Sequence, residues 1–187
     1  MRRGALALVA AANMALVAGA VTWAVRPSHP PAPAAAAATG WDALDPAARC
    51  ASAAELVRQP DPWPTTCRWR EAGEGLRGLS YPPPAGDPPW DRPRIEVYLS
   101  RAETRADVAH TIAHELGHMR HTRTATFGPQ WLQARGLPDG TPPSIWTEDY
   151  AEVFATLFGP PVDGWQAPTQ RPSPEALAAL KDQFFTP

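Results

Sequence analysis

Residues 108 to 122, VAHTIAHELGHMRHT, hold four of the chain's five histidines. His110, His114, His118 and His121 recur at helical spacing, with Glu115 set among them. Residues four apart on a helix lie one turn apart on one face, so His114 and His118 can both reach one metal ion. Glu115 lies about 100° around from His114, at the edge of the same face. A carboxylate there can take a proton from a water on the ion without displacing that water. His110 and His121 share the arc. Positions i to i+8 of a straight helix span about 12 Å, too far for one ion. These two histidines are expected at the rim of a cleft, with His121 nearer to substrate.

A catalytic zinc needs a third protein ligand and an open position. A third histidine of the form HExxHxxGxxH is missing, since position 124 is Thr and position 128 is Gly. The segment TEDYAEVFA offers carboxylates instead. Glu148 can complete the ligand set. Glu152, one turn further on the same face, can accept a hydrogen bond from a ligand histidine and fix its ring. Asp149 is the second candidate for that orienting task. The small Ala151 and Ala155 would let two helices approach closely. Tyr81, Tyr98, His121 and Tyr150 could by type stabilise a developing oxyanion, and the sequence does not choose among them.

These residues need elements to hold them. RIEVYLS alternates, with Ile95, Val97 and Leu99 on one side, which reads as a half-buried strand. From about Thr104 to Thr122 the pattern is helical, and Val108, Ile112, Leu116 and Met119 form one apolar stripe. The histidines follow two positions later, about 200° around, so one side packs on the strand and the other faces a cleft or water. SIWTEDYAEVFATLFG is a second strong helix with Ser144 or Thr147 as its N-cap, and Tyr150, Val153, Phe154 and Leu157 on its apolar face. Shorter helices are expected over residues 46 to 58, in PQWLQARG, and from Ser173-Pro174-Glu175 onward. A short strand fits Leu79 to Tyr81. The fold class is α+β.

HELGH followed by a helix reading E-x-x-A-E resembles the gluzincin zinc metallopeptidases. EDYAEVFATLFGPP is similar to the ImmA/IrrE-like peptidases in its E-x-x-A-x-x-F-A pattern. The resemblance covers roughly residues 94 to 161. It implies one zinc ion bound by His114, His118 and Glu148, with Glu152 behind a ligand and Glu115 as general base for peptide hydrolysis. It also implies a small zincin-like domain, in which a short antiparallel sheet packs on the HExxH helix with the glutamate helix behind. In such a domain IEVYL borders the cleft, where an extended peptide can pair with it.

The rest of the chain sets the surroundings. Arg2 and Arg3 precede an uncharged apolar run from Gly4 to Val25, so residues 1–25 read as a cleavable export signal or a retained membrane anchor. Either way the remainder lies outside the cytoplasm, secreted or anchored to the plasma membrane. Residues 26–40 form a Pro/Ala-rich linker, and 41–187 the folded domain. In an oxidising compartment Cys50 and Cys67 pair as a disulfide. A formal charge of −2 gives no support to nucleic-acid binding, and 24 prolines predict many turns and loops. The scattered tryptophans are expected in the core or as loop anchors. The expected partner is a peptide or protein substrate. Two other readings stay open: an exported metal-binding module without catalysis, and a metal-free cell-surface interaction domain.

Overall fold

A computed structural model describes residues 40–59, 63–71, 75–82, 93–121 and 127–185. The expected export segment, and the linker up to residue 39, lie outside the described residues. Among those residues no helix is long and apolar enough to cross a membrane.

The domain is a small α+β unit. A short 3-10 turn at Gly40–Ala43 leads into helix α1, Pro46–Ala54. Three strands follow: β1 Thr65–Trp69, β2 Gly78–Tyr81 and β3 Arg94–Leu99. Helices α2 Arg105–His121, α3 Phe127–Arg135, α4 Pro143–Phe158 and α5 Pro174–Leu180 complete the chain, with a single wide turn over Lys181–Phe185.

The sheet order is β1-β3-β2, so the alternating IEVYL strand is central. The sheet is mixed, which corrects the antiparallel expectation. β2 runs antiparallel to β3, with Gly78 opposite Val97, while β1 runs parallel to it, with Thr65 opposite Ile95. The reason lies in the connections. β2 takes one edge of β3, and the long stretch between β1 and β3 leaves β1 free to enter the other edge in parallel. As a central strand, β3 has no open edge for a peptide; the edge bordering the histidines belongs to β2.

Ile95, Val97 and Leu99 are at most 1% exposed and pack with Val108, Ile112, Leu116 and Met119 of α2. α2 starts in a capping box, with Thr104 N and hydroxyl donating to Asp107 and the Asp107 amide returning to Thr104 Oγ1. Its histidine side lines a cleft with His110, His114 and Glu115. It is covered by α4, so the helix is buried on two sides. The approach is close because the facing residues are small. A Cβ at Gly117 would sit 2.7 Å from the Ala151 Cα, and one at Gly159 would sit 3.3 Å from the Ala113 Cβ.

α4 begins differently from expectation. Pro142 is its N-cap and no side chain caps it, because Pro143 presets the backbone and has no amide to satisfy. Thr147 lies inside the helix and donates to the Pro143 carbonyl. α5 has the expected cap, with Ser173 Oγ accepting from Ala176 N. Beyond it, Phe184 and Phe185 close an aromatic cluster with Phe127, Trp131, Tyr150, Phe154 and Phe158.

Cys50 and Cys67 are joined as a disulfide with Cα atoms 5.7 Å apart, tying α1 to β1. Beside it the buried Arg49 guanidinium lies between Trp41 and Trp69, 4.9 and 5.0 Å from their ring centres. With Trp131 fully buried, these tryptophans serve the packing.

Candidate metal centre

α2 and α4 bring three donor atoms to one point. His114 Nε2 lies 3.1 Å from His118 Nε2 and 3.2 Å from Glu148 Oε2, and His118 Nε2 lies 3.3 Å from Glu148 Oε1. Among the described residues this His114–His118–Glu148 group could hold a metal ion. Zinc bonds of about 2.0–2.1 Å at tetrahedral angles set neighbouring donors about 3.3–3.4 Å apart. The two close Glu148 contacts are made by different oxygens, and with one ligand atom from each residue the three lie within 4.8 Å of one another. The carboxylate therefore either turns onto one oxygen or binds through both. Two imidazoles and one carboxylate are also a donor set that zinc accepts.

The next turn of α4 supports the first. Glu152 Oε2 lies 3.2 Å from His114 Nδ1, so accepting the proton there leaves the Nε2 lone pair facing the triangle. The backbone N–H of Gln166 donates to Glu152 Oε1 at 3.1 Å. His110, one turn before His114, brings its Nε2 within 3.3 Å of both Glu152 oxygens.

The charges here are tightly coupled. Burial opposes a proton on His114, yet hydrogen bonds to Glu148 and Glu152 push its pKa up to about 10. Burial likewise opposes the charge on the two glutamates, but their histidine partners win. Glu148 is held well below the usual carboxylate range, and Glu152 falls to about 2. Without metal, a proton on His114 thus stands where a cation's charge would be. Glu115 behaves oppositely, because burial raises its pKa, against the pull of His118 and His114.

Glu115 is set apart from the triangle and lies beneath β2. Ser80 hydrogen-bonds to its carboxyl. A Cβ at Gly78 would sit 2.7 Å from the Glu115 Cγ and collide with the carboxylate, so only glycine lets the strand approach this closely. A cleft of about 480 Å³ opens over this point, lined among others by Arg77, Gly78, His114, Glu115, Trp165 and Gln166.

Compared with known proteins, the chain matches no family model, no curated protein and no solved structure. The centre therefore rests on its own geometry.

That geometry sorts the residues singled out in the sequence. His114, His118 and Glu148 meet, and Glu152 stands behind His114. Asp149 does not orient a histidine. It is fully buried on another side of α4, accepting from Trp131 Nε1 at 2.9 Å, Arg135 Nε at 2.7 Å and Arg135 Nη2 at 2.9 Å, and from Thr169. One residue on a helix is about 100° of turn, which separates it from the histidine face. His110 is only 4% exposed and lines the cleft, with its Nε2 on Glu152. The His121 ring packs against Trp146 and Tyr150, 5.7 and 6.1 Å between ring centres, away from the cleft lining. Burial lowers its pKa to about 4.

The oxyanion candidates are also occupied elsewhere. Tyr150 is in the aromatic core, and the Tyr98 hydroxyl donates to Glu96 at 2.9 Å. Tyr81 lies under the Arg94 guanidinium at 3.9 Å. Sequence reasoning missed Gly78, Ser80 and Gln166. Gly78 carried one signal, a glycine opening a short strand, which marks a close backbone approach.

Proposed function

We propose that this chain is an exported zinc-dependent peptidase of the gluzincin type, with a zincin-like domain. One observation carries the reading: two separate helices converge on a His–His–Glu group that could hold a metal ion, with the buried Glu115 carboxylate lining the adjoining cleft. A purely structural site would need no Glu115. Its ligands would be His114, His118 and Glu148, leaving a fourth position open. When bound, zinc would lower the pKa of a water to about 7 and polarise a peptide carbonyl.

The chain's own residues do the rest. Glu115 takes a proton from the attacking water and passes it to the leaving amine. Burial favours this role, because it lifts the carboxyl toward the pKa range in which it can both accept and return a proton. Glu152, on Nδ1, keeps the His114 ring fixed in orientation. β2 is an edge strand of the described sheet and borders the cleft, so it can pair with an extended peptide through its backbone.

The test joins metal content with chemistry. The purified protein should hold one zinc per chain and cleave members of a peptide library. Glu115→Gln should keep the zinc and lose cleavage by roughly 10²- to 10⁴-fold, the usual worth of a general base. A zinc-free protein at neutral pH, or undiminished cleavage by the variant, would overturn the reading.

A further inference from the structure

His110 has no place in the donor triangle, yet its environment is costly for a histidine. The ring is 4% exposed, and its Nδ1 is buried without a partner among the described residues. A leucine of similar volume would avoid that cost. The gain must come from the other nitrogen. Nε2 lies 3.3 Å from each oxygen of Glu152, the one acceptor the ring has, so a neutral His110 carries its proton on Nε2. Glu152 is itself 1% exposed and is gripped from three directions, by His110, His114 and the Gln166 amide.

We propose that His110 is a positioning residue that acts through Glu152 to hold the His114 ring with Nε2 turned toward the ion. His110 bridges both oxygens and so sets the plane of the carboxylate. Gln166 fixes one oxygen, which leaves the other aimed at His114 Nδ1. Without His110 the carboxylate can turn about its last torsion, and His114 loses its fixed acceptor. His110 lines the cleft, so a smaller side chain there would also admit water to Glu152. This inference rests on the zinc reading, and the experiment separates the two.

Zinc affinity of the purified full chain is measured by chelator competition for wild type, His110→Leu, His110→Gln, His110→Asn, Glu152→Ala and the His110→Leu/Glu152→Ala double variant. His110→Leu should weaken zinc about 10-fold, the low end for outer partners of a ligand histidine. Its metal-free melting temperature should not fall, because leucine removes the unpartnered nitrogen. The Gln amide reaches as far as the histidine Nε2 and should restore affinity to within about 3-fold; the shorter Asn should not. The double variant should bind no more weakly than Glu152→Ala, since the effect passes through that carboxylate. Wild-type affinity in His110→Leu, or a further tenfold loss in the double variant, would overturn the positioning role. If the leucine variant does not fold, equal affinity of the Gln and Asn variants does so instead. A wild type without stoichiometric zinc overturns the peptidase reading and this role together.

Discussion

Glu148 and Asp149 are consecutive buried carboxylates on α4, yet they serve two different regions of the molecule. Asp149 faces α3 and the 169 loop, where a guanidinium, an indole N–H and a hydroxyl saturate it. Arginine cannot give up its proton, so that charge is matched permanently. Glu148 faces two imidazoles. An imidazole can exchange its proton for a metal, so the charge on Glu148 is balanced by a partner that can be replaced. Adjacent positions thus divide into a tie that holds α3, α4 and the 169 loop together and a site that is open to chemistry.

The sharpest way to break this division is Asp149→Ala. It leaves Arg135 beside an empty buried site and orphans the Trp131 N–H. Removing one partner of a buried pair costs about 3–5 kcal/mol, so chemical denaturation should show a loss of that size. Zinc binding per folded molecule should survive. A variant of unchanged stability would mean that the tie is not structural.

Glu148→Ala should do the reverse. Losing a ligand should weaken zinc by more than about 100-fold, beyond the range typical of outer partners. The metal-free fold should be far less affected than in Asp149→Ala, because each of the two histidines loses only a replaceable partner. Chelator competition and denaturation of the metal-free form, run side by side, check both halves. Equal destabilisation by the two variants would erase the distinction.

The shared face of His114 and His118 was legible in the sequence because helix spacing fixes it, whereas their pairing with Glu148 came only from the resemblance carried by HELGH and E-x-x-A-E. Residues i and i+4 must share a face, so the face could be read without knowing the partner. Asp149 was harder. Its adjacency to Glu148 suggested a shared task, but about 100° of helical rotation gives it different neighbours, and those neighbours come from α3 and a loop. The alternation of Ile95, Val97 and Leu99 marked a strand but not its central position or the parallel entry of β1. Strand order is set by long connections that carry no periodic signal. The second burial of α2 was hidden for a related reason. A polar stripe looks solvated until a second helix with matching carboxylates is placed against it.

Gly78→Ala tests how closely β2 must lie on Glu115. The added methyl would meet the Glu115 side chain, and overpacking of this kind costs about 1–3 kcal/mol. Glu115 should yield, because it is a side chain and the strand is held by β3. Zinc content should therefore stay near one per chain while kcat falls by roughly tenfold or more, in line with that displacement. Loss of zinc with kcat per bound zinc unchanged would show instead that β2 supports the ligands.

Taken per pH unit, the smallest effect is a pH dependence confined to the metal-free protein. The pKa of His114 rises from 6.5 to about 10 in the fold, with burial outweighed by hydrogen bonds to Glu148 and Glu152. A raised folded pKa means that its stabilisation is complete below about 6.5 and is lost as pH climbs toward about 10. Glu152, lowered from 4.5 to about 2, acts in the opposite sense: its contribution is present above about 4.5 and is lost as pH falls through about 2. The contributions of these two groups are therefore both complete between about 4.5 and 6.5, and above that His114 adds a decline of at most about 1.4 kcal/mol per pH unit for one proton. On the proposed reading zinc would take the place of that proton, so the zinc-loaded protein should lack the alkaline decline. Glu148→Gln should flatten it in the metal-free form, because the first hydrogen bond raising His114 is weakened. Arg135→Lys, which perturbs the Asp149 tie and the Arg135 hydrogen bond to the Gln170 carbonyl, should lower stability at every pH and leave the slope in place. If the Arg135 variant flattened the slope as well, the two regions of α4 would be one coupled network and the division between them would fail.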